Sequence, residues 1–151
     1  MFRRAIEERL IDPKKWRPIG IRGSVHVSDD FEYIRDHGVR YFTMDAIYEN
    51  GIKWVLEQLE DLRDTPCYVT LDVDGIDPAF APGTTMPVPA GLTSLDAHAI
   101  VRYLTRFPRI VGFDIVEVLP PYDVASVTSL LAASLTFEFL STRAVARRDS
   151  P

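Results

Sequence analysis

What this chain lacks narrows its possibilities before any motif is considered. It has one cysteine in 151 residues, Cys67, set inside the apolar run Cys67-Tyr68-Val69-Thr70-Leu71. That excludes an intrachain disulfide framework and a zinc finger, and a reducing, cytoplasmic setting is the expectation. Histidine is scarce, with only His26, His37 and His98, and no lysine follows Lys53. Cationic residues are the minority, 17 Lys and Arg against 22 Asp and Glu for a net charge of −5. Phosphate recognition needs clustered cations, so no nucleic-acid partner is expected. No apolar stretch is read as approaching the roughly 20 residues of a membrane span. The opening Met1-Phe2-Arg3-Arg4-Ala5-Ile6-Glu7-Glu8 has no apolar signal core, so no membrane partner is expected either.

What remains is enough for one buried core, alone or as part of a larger domain: 46% of residues are hydrophobic and 26% charged. Short apolar runs at 18–22, 39–44, 67–73 and 110–116 alternate with stretches of helical period, the pattern of βαβ units around a mostly parallel sheet. The fold class is therefore α/β. These runs are too continuously apolar for a sheet with one wet face, so burial on both sides is expected. Helices are predicted over 2–10, over 30–37 with Gly38 as the stop, and through the stripe Ile52, Val55, Leu56, Leu59 and Leu62. Thr93 followed by Asp96 predicts a capping box for a helix reaching about residue 107. A last helix is expected over 125–142, followed by a polar tail.

The chemistry concentrates in Val69-Thr70-Leu71-Asp72-Val73-Asp74-Gly75-Ile76-Asp77-Pro78. Residues two apart in a strand share a face, so Asp72 and Asp74 are expected side by side at the carboxyl end of a buried strand, where open α/β sheets bind ligands. Two such close carboxylates repel unless a cation or a proton lies between them, and their hard oxygens suit Mg²⁺ or Mn²⁺. The alternative is a polar strand end whose aspartates cap local backbone donors. Asp77, before Pro78, is read as a turn former. Asp72-Val73-Asp74-Gly75 alone also resembles the first motif of the haloacid-dehalogenase-type phosphatases. The missing downstream lysine weakens that reading.

The longer run from Asp72 to Thr84, then Pro87 and Gly91-Leu92-Thr93, resembles the signature of the ureohydrolases, the arginase and agmatinase family. Gly112-Phe113-Asp114-Ile115-Val116-Glu117-Val118, with Pro120 and Tyr122-Asp123, is similar to that family's ending. The resemblance implies a three-layer arginase-type α/β fold, residues 1–143 forming the C-terminal part of the domain and 144–151 a polar tail. It implies agmatinase-like hydrolysis of a guanidino C–N bond, with urea release, at a dinuclear manganese site. In that frame Asp72 and Asp74 are metal ligands, Glu117 holds the guanidinium of a small substrate, and Asp114 is structural. The family's usual assembly implies a homo-oligomer, or pairing with a missing N-terminal half.

Two departures qualify the match. Thr85, Met86 and Ala90 stand where relatives usually carry Gly, Thr and Gly, and the change to Met86 alters the substrate side. The family's histidine ligand and its Asp-x-His-x-Asp cluster lie upstream of the helix at which these residues begin. His37 and His98 are expected as surface or capping residues, and only His26 lies where a strand-end cleft is within reach. The expectation is thus a chain inactive alone. A non-catalytic remnant acting through oligomerisation is the second reading, the phosphatase the third.

Overall fold

The computed structural model describes residues 1–24 and 29–148. In chain order the elements are α1 (Phe2–Glu7), β1 (Ile19–Ile21), α2 (Asp29–Asp36), β2 (Phe42–Thr43), α3 (Met44–Glu57), β3 (Cys67–Asp72), α4 (Ser94–Leu104), β4 (Ile110–Val116) and α5 (Val127–Arg148), joined by short 3₁₀ turns. Every strand pairing between these elements is parallel: β1 with β2 and β3 with β4. The α/β class follows from that and from the helical crossovers. The four strands form two separate pairs rather than one continuous sheet.

Local chemistry sets the element ends. Thr93 Oγ1 accepts from the Asp96 amide at 3.1 Å while the Asp96 carboxylate accepts from the Thr93 amide at 3.0 Å, the reciprocal cap read in the sequence. α2 stops at Gly38, whose φ of +67° is left-handed. The apolar run 39–44 yields only two strand residues, because Thr43 Oγ1 accepts from the Ala46 amide and caps α3 there. Gly51, at φ +78° and ψ +161°, kinks α3, which ends at Glu57; of the expected stripe Val55 is buried on the helix and Leu59 and Leu62 are buried beyond its end.

One apolar cluster joins Phe42, Ile47, Val55, Leu59, Leu92, Ile100 and Phe107. A second gathers Val73, Ile76, Ala81, Ala97, Val101 and Leu135 against Leu71, Phe113 and Ile115. Both lie on the face of β3 that carries Cys67, Val69 and Leu71. Burial on both sides is not what these residues achieve. β3 alternates half-buried with exposed positions, and its outward face presents Tyr68, Thr70 and Asp72. α4 and α5 pack together over the inner face only.

α5 corrects two further expectations. It continues to Arg148, past the expected end at residue 142. The segment Val124–Ala146, which contains an 18-residue window with a mean hydropathy of 1.5, is long and apolar enough by composition to cross a membrane. No apolar stretch approaching that length is expected from the sequence, yet Glu138 is the only charge between residues 124 and 142. Leu135 is 0% exposed and Phe139 stacks on Phe113 at 4.2 Å, while Leu130 and Phe137 on the other side are 66% and 71% exposed. The helix is apolar all round and covered on one side among the described residues. Leu135→Ala should therefore cost about 2–5 kcal/mol in urea unfolding, and Leu130→Ala less than about 0.5 kcal/mol. Similar losses at the two positions would contradict this one-sided packing.

Candidate metal and substrate site

The pairing of β3 with β4 opposes Asp72 to Val116, so the two parallel strands end at one edge. Asp72 is the last residue of β3 and Glu117 the first beyond β4. Asp74 is not on the strand. It lies in the one-turn 3₁₀ segment Val73–Gly75, and the Asp74 amide donates to Asp72 Oδ1 at 3.0 Å. The expected pairing across a strand face is thus replaced by a turn, because the Asp72 carboxylate caps the backbone that leaves the strand.

Glu117 has a left-handed backbone, φ +63°, which costs a non-glycine residue energy and marks a place where the chain is forced round. Its side chain meets the loop after the Asp-rich turn, where Thr85 Oγ1 donates to Glu117 Oε2 at 2.7 Å. That loop is anchored from behind. The Gly83 amide donates to Thr128 Oγ1 at 2.7 Å, and the Leu119 amide donates to the Gly83 carbonyl at 2.8 Å. A Cβ on Gly83 would stand 2.6 Å from Asp123 Cβ, so only glycine permits this approach. Thr84 is buried, whereas Thr85 and Met86 face solvent.

Electrostatics ties the carboxylates together. Burial pushes the Asp72 carboxyl up to about 6; the Asp74 amide opposes this, and the negative charges of Asp74 and Glu117 reinforce it. Asp72 is exposed by area, so solvent screens part of the effect. Asp77 differs. The Ala79 amide, with those of Gly91 and Ala90 and the Arg22 guanidinium, holds its carboxyl below the ordinary range against the opposing pull of burial. It is the turn former read from the sequence.

The remaining candidates lie elsewhere. Asp114 accepts from the Tyr68 hydroxyl at 2.9 Å on the outward face. His98 bridges helices, its ring nitrogens contacting the Ser94 carbonyl and Ser134 Oγ, and His37 packs on Tyr33. His26 lies outside the described residues. Among the described residues no group of three or more His, Cys, Asp or Glu side chains could hold a metal ion. Sequence reasoning missed Arg22. Its guanidinium reaches the carbonyls of Asp74 and Val88, each at 2.6 Å. Nothing in a lone arginine after an apolar run announces such contacts across more than 50 residues.

Two outcomes are expected. The Asp72 carboxyl, followed by carbon NMR in metal-free protein, should titrate near pH 6, and Asp74→Asn should lower that value in part, leaving the share due to burial. Because the folded value of about 6 exceeds the ordinary 3.8, this carboxyl favours the fold below about pH 4, and that contribution is lost as pH rises through 6. Relative to wild type, Asp72→Asn should therefore gain stability between pH 4 and 6.5. An ordinary midpoint in the wild type would contradict the clustering. Separately, Ala90 has a left-handed backbone at φ +61°, a conformation that favours glycine. Ala90→Gly should raise stability by about 1 kcal/mol in urea unfolding, and an unchanged or lowered midpoint would contradict the left-handed assignment.

Comparisons with known proteins identify the family and the fold. The model of the Arginase family matches residues 1–141. A guanidinopropionase of Pseudomonas aeruginosa is 47% identical over 140 residues, covering 92% of this chain and 44% of the relative. The proclavaminate amidinohydrolase of Streptomyces clavuligerus is 43% identical over 148 residues, 97% of this chain and 47% of that protein. Its solved structure superposes with a TM-score of 0.86 at 41% identity, covering 96% of this chain and 47% of the other. The agmatine ureohydrolase of Thermoplasma volcanium gives a TM-score of 0.82 at 32% identity, over 99% and 48%. The chain thus spans about half the length of the curated relatives it matches. With its parallel strands and α/β architecture of arginase type, the chain belongs to the arginase family.

Proposed function

We propose that this chain supplies the substrate-binding carboxylate and part of the metal site of an amidinohydrolase that cleaves a guanidino C–N bond and releases urea. The supporting observation is the meeting of Asp72, Asp74 and Glu117 at one strand edge, with the Asp72 carboxyl raised to about 6. Carboxylate oxygens are the hard donors that Mn²⁺ takes, and a cation beside Asp72 relieves the repulsion that otherwise favours its protonated form. The residues fit that ion in kind. Asp72 and Asp74 would hold it, and the other ligands of a dinuclear site would come from chain beyond these residues. When bound, manganese supplies Lewis-acid activation of water.

The chain's own part is recognition. A guanidinium is a planar cation with N–H donors, matched by a carboxylate through charge-assisted hydrogen bonds. Glu117 accepts from Thr85 through Oε2, which orients the carboxylate; Oε1 is the oxygen proposed to meet a substrate N–H. Met86, one residue after Thr85, is exposed, and it is the position proposed to meet the rest of a substrate. Relatives include a guanidinopropionase, a guanidinobutyrase and an agmatinase. The guanidino group is what those substrates share; agmatine is the substrate first suggested by the sequence. The bare outward face of β3 and β4 and the uncovered side of α5 are where the rest of a family fold, or another copy, would pack. A reducing compartment suits the lone Cys67.

The test is urea release from agmatine, guanidinopropionate and guanidinobutyrate with Mn²⁺. The 151 residues alone should show no turnover at ordinary enzymatic rates, since a few carboxylates make an incomplete site. Joined to the complementary portion of a relative, the protein should turn over, and Asp72→Asn should abolish both manganese retention and activity. Glu117→Gln should raise KM about 10- to 100-fold with manganese content unchanged. Full turnover by the chain alone would show that this portion suffices. Equal loss of metal and substrate binding in Glu117→Gln would remove its assigned role.

A further inference from the structure

We infer that Arg22 is a positioning residue for the metal site, acting through the backbone of Asp74. The inference rests on the metal reading of Asp72 and Asp74 given above. Arg22 follows β1, a strand not paired with β3. Its Nη2 donates to the Asp74 carbonyl at 2.6 Å and the Val88 carbonyl at 2.6 Å, with a longer contact to Ile76 at 3.5 Å. Nε donates to the Val88 and Pro89 carbonyls at 3.2 and 3.1 Å, and Nη1 to those of Gly20 and Gly75 at 3.3 and 3.4 Å. One guanidinium therefore joins β1, the Asp-rich turn and the segment before Gly91.

The consequence for Asp74 is specific. Its amide is held by Asp72 Oδ1 at 3.0 Å and its carbonyl by Arg22 at 2.6 Å. With both flanking peptide groups held, the direction of the Cα–Cβ bond is set, and only two side-chain torsions remain to aim the carboxylate. The packing leaves little room for adjustment, since a Cβ on Gly91 would lie 2.6 Å from the Asp77 amide and 2.9 Å from Arg22 Nη2. A lysine cannot reproduce this. Its ammonium is a point donor, whereas the planar fork reaches carbonyls on three segments at once. Partners that orient metal ligands contribute to affinity nearly as the ligands do, and their loss typically weakens binding 10- to 100-fold.

The test uses the 151-residue chain and Mn²⁺ alone, read by NMR. The initial slope of paramagnetic broadening at the Asp72 and Asp74 amides is proportional to the association constant, so weak binding suffices. Arg22→Lys should lower that slope 10- to 100-fold. In an Asp74→Asn background the same change should alter the slope less than twofold, because the route through Asp74 is already gone. A purely structural role would lower both backgrounds alike and would overturn the inference. Broadening in wild type that Arg22→Lys leaves unchanged would overturn it while the metal reading stands. No broadening at Asp72 and Asp74 in wild type would remove the metal reading, and this inference with it. If Arg22→Lys does not fold, linkage supplies a measurement on the wild type: bound Mg²⁺, a diamagnetic oxygen-liganded ion, should slow solvent exchange of the Arg22 Nε–H. Exchange unaffected by bound Mg²⁺ overturns the inference.

Discussion

The parallel register of β3 against β4 is the constraint on which the candidate site depends. Parallel neighbours share a carboxyl edge, so whatever follows Asp72 and whatever follows Val116 must leave the sheet side by side. The chain then has to turn back from both strands within a few residues. Asp72 begins the first turn by accepting the Asp74 amide, and Glu117 makes the second in a left-handed conformation. Asp72, Asp74 and Glu117 are thereby brought to one edge of the sheet by backbone geometry rather than by attraction.

Such a cluster is unfavourable unless something offsets it, and its surroundings separate the acids into two kinds. Asp77 and Asp123 are surrounded by donors: amides reach Asp77, while the Ser129 hydroxyl and the Thr128 and Ser129 amides reach Asp123. These acids hold loops in place. Asp72 is pushed the other way, first by burial and then by its two acidic neighbours, against a single amide donor among the described residues. A carboxyl kept from ionising freely, beside two others at a strand edge, is the feature a cation would relieve. The acids that build the site and those proposed to act in it differ in donors rather than in residue type.

The same division runs through the apolar residues. The inner face of β3 packs into a core with α4 and α5, while Tyr68 on the outer face and Leu130 and Phe137 on α5 stay in solvent. Apolar strands and a helix apolar all round belong in an interior. The described residues provide that interior on one side only. This agrees with a chain covering 44% of the guanidinopropionase and 47% of the proclavaminate amidinohydrolase it matches, in which additional chain is present.

Much of this was legible in the residue order. Alternating apolar runs and helical periods indicated parallel α/β architecture, the Thr93 and Asp96 spacing indicated a reciprocal cap, and the long pattern from Asp72 to Thr93 indicated the family. Each depends on neighbours a few residues apart or on spacing along one segment, which a sequence records directly. The split of the strands into two pairs, the one-sided burial of β3 and the length of α5 depended instead on what packs against each surface. Spacing made Asp72 and Asp74 candidates and the family resemblance added Glu117, but a turn rather than a strand face brings the aspartates together. The contacts of Arg22 with Asp74 and of Thr85 with Glu117 span 52 and 32 residues. Only the tertiary structure decides contacts of that kind, because hydrogen bonds to backbone carbonyls or between side chains far apart in the chain leave no periodic trace in sequence.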